Sequence, residues 1–164
     1  MTGKRLKSRT IQPLASTMVK TAVIGCGHWG KNLVRNFANL SGLAAVSDLN
    51  LEAARGFAEQ YGVQALSFDE ILVDAGISAI AIAAPAEQHY LLARQALVAG
   101  KHVYVEKPLA LIASEAEELC RLAKEKKRTL MVGHLLQYHP AFLKLKEIVH
   151  GGGLGDLQYI YSNR

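Results

Sequence analysis

Short apolar segments alternate with amphipathic segments along most of the chain. The apolar segments have the length and β-branched content of strands, whereas the intervening segments repeat apolar residues at helical spacing. The strand-like segments are VKTAVIG, LAAVSD, VQAL, ISAIAIAAP, HVYVEKP and TLMVGHL, which begin at residues 19, 43, 63, 77, 102 and 129. Continuously apolar strands are typical of a parallel sheet covered on both faces. The alternation therefore predicts an α/β fold with a doubly wound parallel sheet of the Rossmann type.

Polar residues mark the expected starts of several helices. Asn50 stands where an N-cap is expected before the second helix, because its side-chain oxygen can accept from free backbone N–H groups. Ser67 with Glu70 and Ser114 with Glu117 have the spacing of a capping box, in which each partner binds the other's backbone. These pairs predict the starts of the third and fifth helices.

The basic charge of the chain is concentrated at its amino-terminal end. The formal net charge is +5 at pH 7, and no acidic residue precedes Asp48. Four basic residues lie in the opening segment: Lys4, Arg5, Lys7 and Arg9. We expect residues 1–17 to form a flexible basic tail and residues 18–150 to form the Rossmann domain. Basic and acidic residues nearly cancel beyond the tail, so nucleic-acid binding is not expected. If the tail did bind nucleic acid, that binding would depend strongly on salt.

Cysteine content and hydropathy indicate which cellular compartment to expect for the protein. Cys26 and Cys120 lie far apart and lack metal-ligand spacing, which is typical of a reducing, cytoplasmic setting with free thiols and no metal site. No apolar run reaches the roughly 18 to 20 residues that a membrane span requires. We therefore expect no membrane association.

The turn after the first strand, Gly25–Gly30, reads GCGHWG and fits the pattern G-x-G-x-x-G. It follows a strand and opens a helix, which is the context in which this spacing indicates a dinucleotide-binding loop. Gly25 permits the tight turn, Gly27 lets the backbone approach a pyrophosphate, and Gly30 lets the helix pack close to the strand. The amino-terminal end of the helix then offers N–H groups to the phosphates.

His28 and Trp29 fill the two variable positions at the end of this loop. Both are candidate cofactor contacts, although His28 reads equally well as an exposed loop residue and Trp29 as one that packs at the helix start. Methyltransferases usually space their glycines differently, and the third glycine, Gly30, argues against one. FAD-binding domains share this fingerprint, so the loop alone leaves FAD open.

Asp48 ends the second strand, 23 positions after Gly25. At this place an acidic side chain binds the hydroxyl groups of the adenosine ribose. Its carboxylate would repel a 2′-phosphate, and neither Leu49 nor Asn50 supplies a compensating cation. The pattern therefore favours NAD over NADP as the cofactor.

Five segments together closely resemble the Gfo/Idh/MocA family, the relatives of glucose–fructose oxidoreductase and inositol dehydrogenase. They are AVIGCGHWGKN, SDLN, AAPAEQHY, AGKHVYVEKPLAL and MVGHLLQYHPAF, and the resemblance extends from Val19 to the end of the chain. It implies NAD(P)-dependent hydride transfer between nicotinamide and a carbon of a sugar, nucleotide sugar or polyol. The segment GHLLQYHP resembles the nucleotide-sugar branch, although Gln137 stands where many relatives have arginine.

The resemblance also implies roles for individual residues. Lys107 of the E-K-P motif would line the active site as the catalytic lysine and contact the cofactor, and Glu106 would lie beside the nicotinamide ribose. The loop with Ala84, Pro85 and His89 would run along the cofactor. Chemistry supports the lysine independently, because an amine can hydrogen-bond a reacting hydroxyl and stabilise developing alkoxide charge. Partial burial near a positively charged nicotinamide would lower the pKa of this amine toward a useful range.

Members of the family continue for roughly another domain's length, and that domain forms most of the sugar pocket. We expect residues 151–164 to begin it, because Leu157, Tyr159 and Tyr161 alternate with their neighbours like a strand. The chain is therefore interpreted as the cofactor-binding part of a dehydrogenase, weak or inactive on its own. The alternative is a non-catalytic NAD-binding or regulatory module. We further expect a sugar or nucleotide-sugar partner and a homo-oligomer.

Overall fold

A computed structural model describes residues 18–163, which form one sheet flanked by helices; the predicted tail, residues 1–17, lies outside the described residues. The strands are β1 Thr21–Ile24, β2 Leu43–Ser47, β3 Gln64–Ala65, β4 Ala79–Ile82, β5 His102–Val105 and β6 Leu130–Val132. The helices are α1 Gly30–Asn39, α2 Leu51–Tyr61, α3 Phe68–Val73, α4 Ala86–Val98, α5 Ala113–Lys126 and α6 Pro140–His150, and a 3₁₀ turn covers Leu135–Tyr138.

The sheet is parallel throughout and has the order β3-β2-β1-β4-β5-β6. Strand β1 lies near the centre, where Thr21 pairs with Leu43 of β2 on one side and Ala79 of β4 on the other. This is the strand order of doubly wound dinucleotide-binding folds, so the predicted fold class is confirmed. The order reverses between β1 and β4, which opens a crevice at their carboxyl ends.

Alternate residues of the strands contribute side chains to two separate hydrophobic cores, one on each face of the sheet. Helices α3, α4 and α5 cover one face, where Ile71, Leu97 and Leu119 are buried against the strands. Helices α1 and α2 cover the other, where Val34 packs with Val23. Each of these aliphatic side chains contributes roughly 1.5 to 3 kcal/mol by leaving water. The two cores hold the carboxyl ends of the strands at one common edge.

A buried lysine joins two loops at the opposite, amino-terminal edge of the sheet. The ammonium of Lys101 donates to the carbonyl oxygen atoms of Asp74 and Ile77, at 2.5 and 2.7 Å. Burial lowers the pKa of Lys101, and the Asp74 carboxylate partly opposes this shift. The lysine therefore ties the loop between α3 and β4 to the start of β5.

The predicted cap of α2 and the capping box of α3 are confirmed. The Asn50 side chain accepts from the backbone N–H groups of Glu52 and Ala53. The Ser67 hydroxyl oxygen accepts from the Glu70 N–H at 3.3 Å, and the Glu70 carboxylate accepts from the Ser67 N–H at 2.7 Å. These bonds satisfy backbone donors that have no partner within the helix.

Two predictions about local structure are wrong. Helix α5 begins at Ala113 after an extended Ile112, so Ser114 lies inside the first turn and makes no capping bond. The expected strand at Leu157–Tyr161 is absent, and Tyr159 and Tyr161 are more than four-fifths exposed. A strand requires a partner for its N–H and C=O groups, and none of the strands between residues 18 and 163 pairs with this segment.

Within residues 18–163, no helix has both the length and the apolar character needed to cross a bilayer.

The two serine positions give a matched test of capping. Replacing Ser67 with alanine should lower the free energy of unfolding by about 1 kcal/mol, because the Glu70 N–H loses its acceptor. Replacing Ser114 with alanine should change it by less than about 0.5 kcal/mol. Urea unfolding followed by circular dichroism measures both, and an equal loss at the two sites would contradict the assignment of the cap.

Candidate functional site

Three loops meet at the carboxyl edge of the central strands. The loop after β1 connects to α1, the loop after β4 connects to α4, and the segment after β5 carries Glu106 and Lys107. Backbone hydrogen bonds align them, because Ala83 N–H donates to the Ile24 carbonyl and Glu106 N–H donates to the Ile82 carbonyl, at 2.8 and 2.9 Å. The predicted site residues that follow these strands are therefore brought together.

The glycine loop is built so that its two ends touch neighbouring backbone. Gly25 has φ +86°, and a Cβ there would lie 2.8 Å from the Ala83 carbonyl carbon and oxygen. A Cβ on Gly30 would collide with the carbonyl group of Gly25. By contrast, a Cβ on Gly27 would have no atom within 4 Å. The first and third glycines are thus required by the fold, whereas the second keeps an open surface clear.

Asp48 is tied to this loop by its carboxylate. Its Oδ2 accepts from the Cys26 N–H at 2.6 Å, and its Oδ1 accepts from the Asn50 N–H at 2.8 Å. Each carboxylate oxygen has a second lone pair, so both can also accept a ligand hydroxyl. The predicted ribose carboxylate is therefore held in a fixed orientation next to the phosphate loop.

The amino-terminal end of α1 is open to an anion. No side chain caps it at Trp29, and its first turn contains no acidic residue. Free N–H groups and the positive end of the helix dipole attract phosphate at such a place. His28 and Trp29 are both exposed beside it, as candidate contacts of a ligand would be. Together with the cleared surface at Gly27, these features fit a pyrophosphate.

Cys26 lies in the loop but does not face solvent. Its side chain is buried, and its thiol points at the Ser47 carbonyl oxygen. Burial, followed by the charge of Asp48, raises the pKa of Cys26 to about 11. The thiol is therefore protonated at neutral pH and acts as a packing group, since only the thiolate is a good nucleophile.

The loop after β4 is fastened to the segment after β5 through His89. This ring is almost fully buried, with Nδ1 2.6 Å from the Pro108 carbonyl oxygen and Nε2 2.8 Å from the Ala84 carbonyl oxygen. The ring thus connects the two loops, and its contact with a cofactor stays a prediction. Ala84 and Pro85, which precede α4, lie at the crevice beside the glycine loop.

Glu106 is a buried carboxylate with an aromatic partner. It is 7% exposed, and its Oε1 accepts from the Tyr104 hydroxyl at 2.7 Å. Burial, followed by this bond to Glu106, raises the pKa of Tyr104, so the phenol keeps its proton. Sequence reasoning missed this partner, although residues two apart on a strand point to the same side.

Lys107 lies next to this pair, and its catalytic role stays a prediction. Its side chain is exposed, and its ammonium makes no hydrogen bond to any of the described residues. The Lys107–Pro108 peptide bond is cis. The amine therefore projects from the carboxyl edge of β5, where a reacting group could approach it. Among residues 18–163 there is no cluster of side chains suited to a metal ion.

Comparisons with known proteins agree with this geometry. The family model described as Oxidoreductase family, NAD-binding Rossmann fold, of the Gfo/Idh/MocA type, matches residues 19–134. A UDP-N-acetylglucosamine 3-dehydrogenase of Acidithiobacillus ferrooxidans is 34% identical over 147 residues, which are 89% of this chain and 45% of that protein. The chain thus spans about half the length of this relative.

Solved structures of two further proteins superpose on the sheet and its helices. The scyllo-inositol dehydrogenase of Lactobacillus casei, with bound NAD(H) and scyllo-inositol, has a TM-score of 0.78 at 25% identity, covering 85% of this chain and 43% of that one. A 3-ketoreductase of Actinomadura kijaniata in complex with NADP has a TM-score of 0.75 at 25% identity, covering 82% and 42%. Both dinucleotides therefore occur among the structural neighbours.

The contrast between the two cysteines can be tested directly. At pH 8 the exposed Cys120 should react with a disulfide reagent more than about 100-fold faster than Cys26, because the buried thiol is almost wholly protonated. Stopped-flow absorbance gives both rates. Cys120→Ser should remove the fast phase, and guanidinium should make Cys26 reactive. Equal rates in the folded protein would contradict the described environment.

Proposed function

The chain belongs to the Gfo/Idh/MocA family of oxidoreductases, and from this premise we propose that it carries the NAD-binding part of a dehydrogenase acting on a sugar, nucleotide sugar or polyol. The observation that carries the proposal is the cleared glycine loop with Asp48 bound to its backbone. Loop, helix end and carboxylate together match the phosphates and the adenosine ribose of a dinucleotide. The same features would suit FAD, but the family assignment favours a nicotinamide cofactor.

We propose NAD rather than NADP. The carboxylate of Asp48 is held rigidly by two backbone N–H groups, so it cannot turn away from a 2′-phosphate. Leu49, the next residue, is fully exposed and uncharged, and it offers nothing to offset that repulsion. Hydrogen bonds to two ribose hydroxyls would favour the dinucleotide without the phosphate.

The redox chemistry is proposed to take place at the end of β5. A bound nicotinamide supplies hydride transfer. Lys107, which is exposed and unpaired among residues 18–163, would hydrogen-bond the reacting hydroxyl and stabilise the alkoxide as its proton leaves. Glu106 would accept a hydrogen bond from the nicotinamide ribose. His89 would hold the two loops that carry these groups.

We propose that residues 151–164 begin a second domain that completes the sugar pocket. The exposed apolar side chains at Leu157, Tyr159, Ile160 and Tyr161 support this, because such side chains usually pack against something. Relatives about twice as long as this chain support it as well. The free thiols of Cys26 and Cys120 are consistent with the cytoplasm as the proposed location. Formation of a homo-oligomer stays a prediction.

A non-catalytic NAD-binding module is the second candidate. The observation that favours it is the exposure of Lys107, whose amine meets no hydrogen-bonding group of residues 18–163. A catalytic amine usually has neighbours that tune it. The two functions differ in a protein extended by the second domain. There the dehydrogenase would lose hydride transfer after Lys107→Met, whereas the module would have no hydride transfer to lose.

Cofactor binding can be measured through the single tryptophan, Trp29, which adjoins the loop. NADH should change its fluorescence on binding. Gly27→Ala should weaken binding by about tenfold or more, because a Cβ would occupy the surface that the pyrophosphate approaches. Gly56→Ala, at a position in α2 that is equally open, is the control and should leave binding unchanged. If the wild-type chain does not bind NADH, the proposed function is wrong.

Dinucleotide preference gives a separate measurement. The wild-type chain should bind NADH at least about tenfold more tightly than NADPH, and Asp48→Ser should reduce that ratio by about the same factor. The ratio is informative because a loosened loop would weaken the binding of both dinucleotides together and would leave their affinity ratio unchanged. Asp69→Ser, which removes an exposed carboxylate from α3, should leave the ratio unchanged. Equal affinity of the wild-type chain for both dinucleotides would refute the preference.

A further inference from the structure

The carboxylate of Glu106 presents two unlike oxygen atoms. Oε1 accepts from the Tyr104 hydroxyl at 2.7 Å. Oε2 has no hydrogen-bond partner among residues 18–163. In this part of the chain, every side-chain oxygen or nitrogen atom that is buried does have a partner. Oε2 is therefore the oxygen that reaches the surface. Although the residue as a whole is buried, it keeps one acceptor available to a ligand.

Gly133 provides the space in which this pair is held. A Cβ at position 133 would collide with the Tyr104 hydroxyl and lie 3.0 Å from both Cδ and Oε1 of Glu106. The backbone at this point cannot easily withdraw, because Gly133 N–H donates to the Val105 carbonyl oxygen at 2.8 Å and extends the pairing of β5 with β6. The missing side chain of Gly133 and the hydroxyl of Tyr104 thus fix one orientation of the Glu106 carboxylate.

We propose that Tyr104 is a positioning residue which, in the space left by Gly133, orients Glu106 so that Oε2 accepts a hydrogen bond from the hydroxyl groups of the nicotinamide ribose. The proposal rests on the proposed function, because it takes NAD to be the ligand at this edge. It adds Tyr104 and Gly133 to the site, and their effect is confined to binding of the nicotinamide half of the dinucleotide. The adenosine half is bound separately by the glycine loop and Asp48.

Removing the hydroxyl tests the role without removing the ring. Tyr104→Phe should raise the dissociation constant of NADH about tenfold, because the carboxylate loses a charge-assisted hydrogen bond and its fixed orientation. The dissociation constant of ADP, which lacks the nicotinamide half, should change by less than about twofold. A purely structural role of Tyr104 would weaken both ligands. Isothermal titration of the whole chain with each ligand gives the two constants.

A matched control exists on the far side of the sheet. Tyr90 of α4 also donates to a carboxylate, Glu118 of α5, at 2.8 Å, and Tyr90→Phe should leave both dissociation constants unchanged. Gly133→Ala should weaken NADH as Tyr104→Phe does, and the double variant should be no weaker than the worse single variant, since both release the same carboxylate. Circular dichroism checks that each variant is folded. If Gly133→Ala does not fold, the dissociation constants of Tyr104→Phe alone test the proposal.

Three outcomes would overturn the proposal. The first is an unchanged NADH constant in Tyr104→Phe, and the second is an equal loss for NADH and ADP. In both cases the wild-type chain still binds NADH, so the proposed function stands. The third is a wild-type chain that binds no NADH, which removes the proposed function and the role of Tyr104 together.

Discussion

The contact between the glycine loop and the neighbouring backbone is the constraint on which the rest of the site depends. Gly25 lies against the carbonyl group of Ala83, and Gly30 lies against that of Gly25. This closeness lets α1 start directly above the end of β1, and it lets the loop after β4 pass beside it. If either glycine carried a side chain, the crevice would widen, and the amino-terminal end of α1 would move away from the loop after β4.

Asp48 makes a second connection to the glycine loop. By accepting from the Cys26 N–H at 2.6 Å, it joins β2 to the loop that follows β1. A carboxylate that only bound a ligand would be mobile in its absence, and ordering it would oppose binding. Here the backbone orders it beforehand. The buried Cys26 side chain completes the contact by filling the space beneath the loop.

The backbone of the site was predictable, but most of its side-chain contacts were not. The period of the apolar segments determines strands and helices, and the glycine spacing determines the turn, so Gly25–Gly30 and Asp48 were found from local pattern alone. The burial of His89 also had a signal, because Ala93, Ala96 and Leu97 follow it at helical spacing on the core side of α4. The contact of Glu106 with Gly133 had none, since it depends on the register between β5 and β6. The missing strand near Tyr159 shows the same limit, because alternation cannot supply a partner strand.

The pairing of β1 with β4 has a consequence for the way the protein folds. Thr21 lies beside Ala79, and everything between them in the chain belongs to the other half of the sheet. Closing so long a loop costs entropy before any contact across it compensates. The crevice lies at this junction, so it cannot form early from local contacts. The glycine loop and Asp48 lie within the half that contains β1, β2 and β3, whereas the contact of Gly25 with Ala83 requires the non-local pairing that joins the two halves.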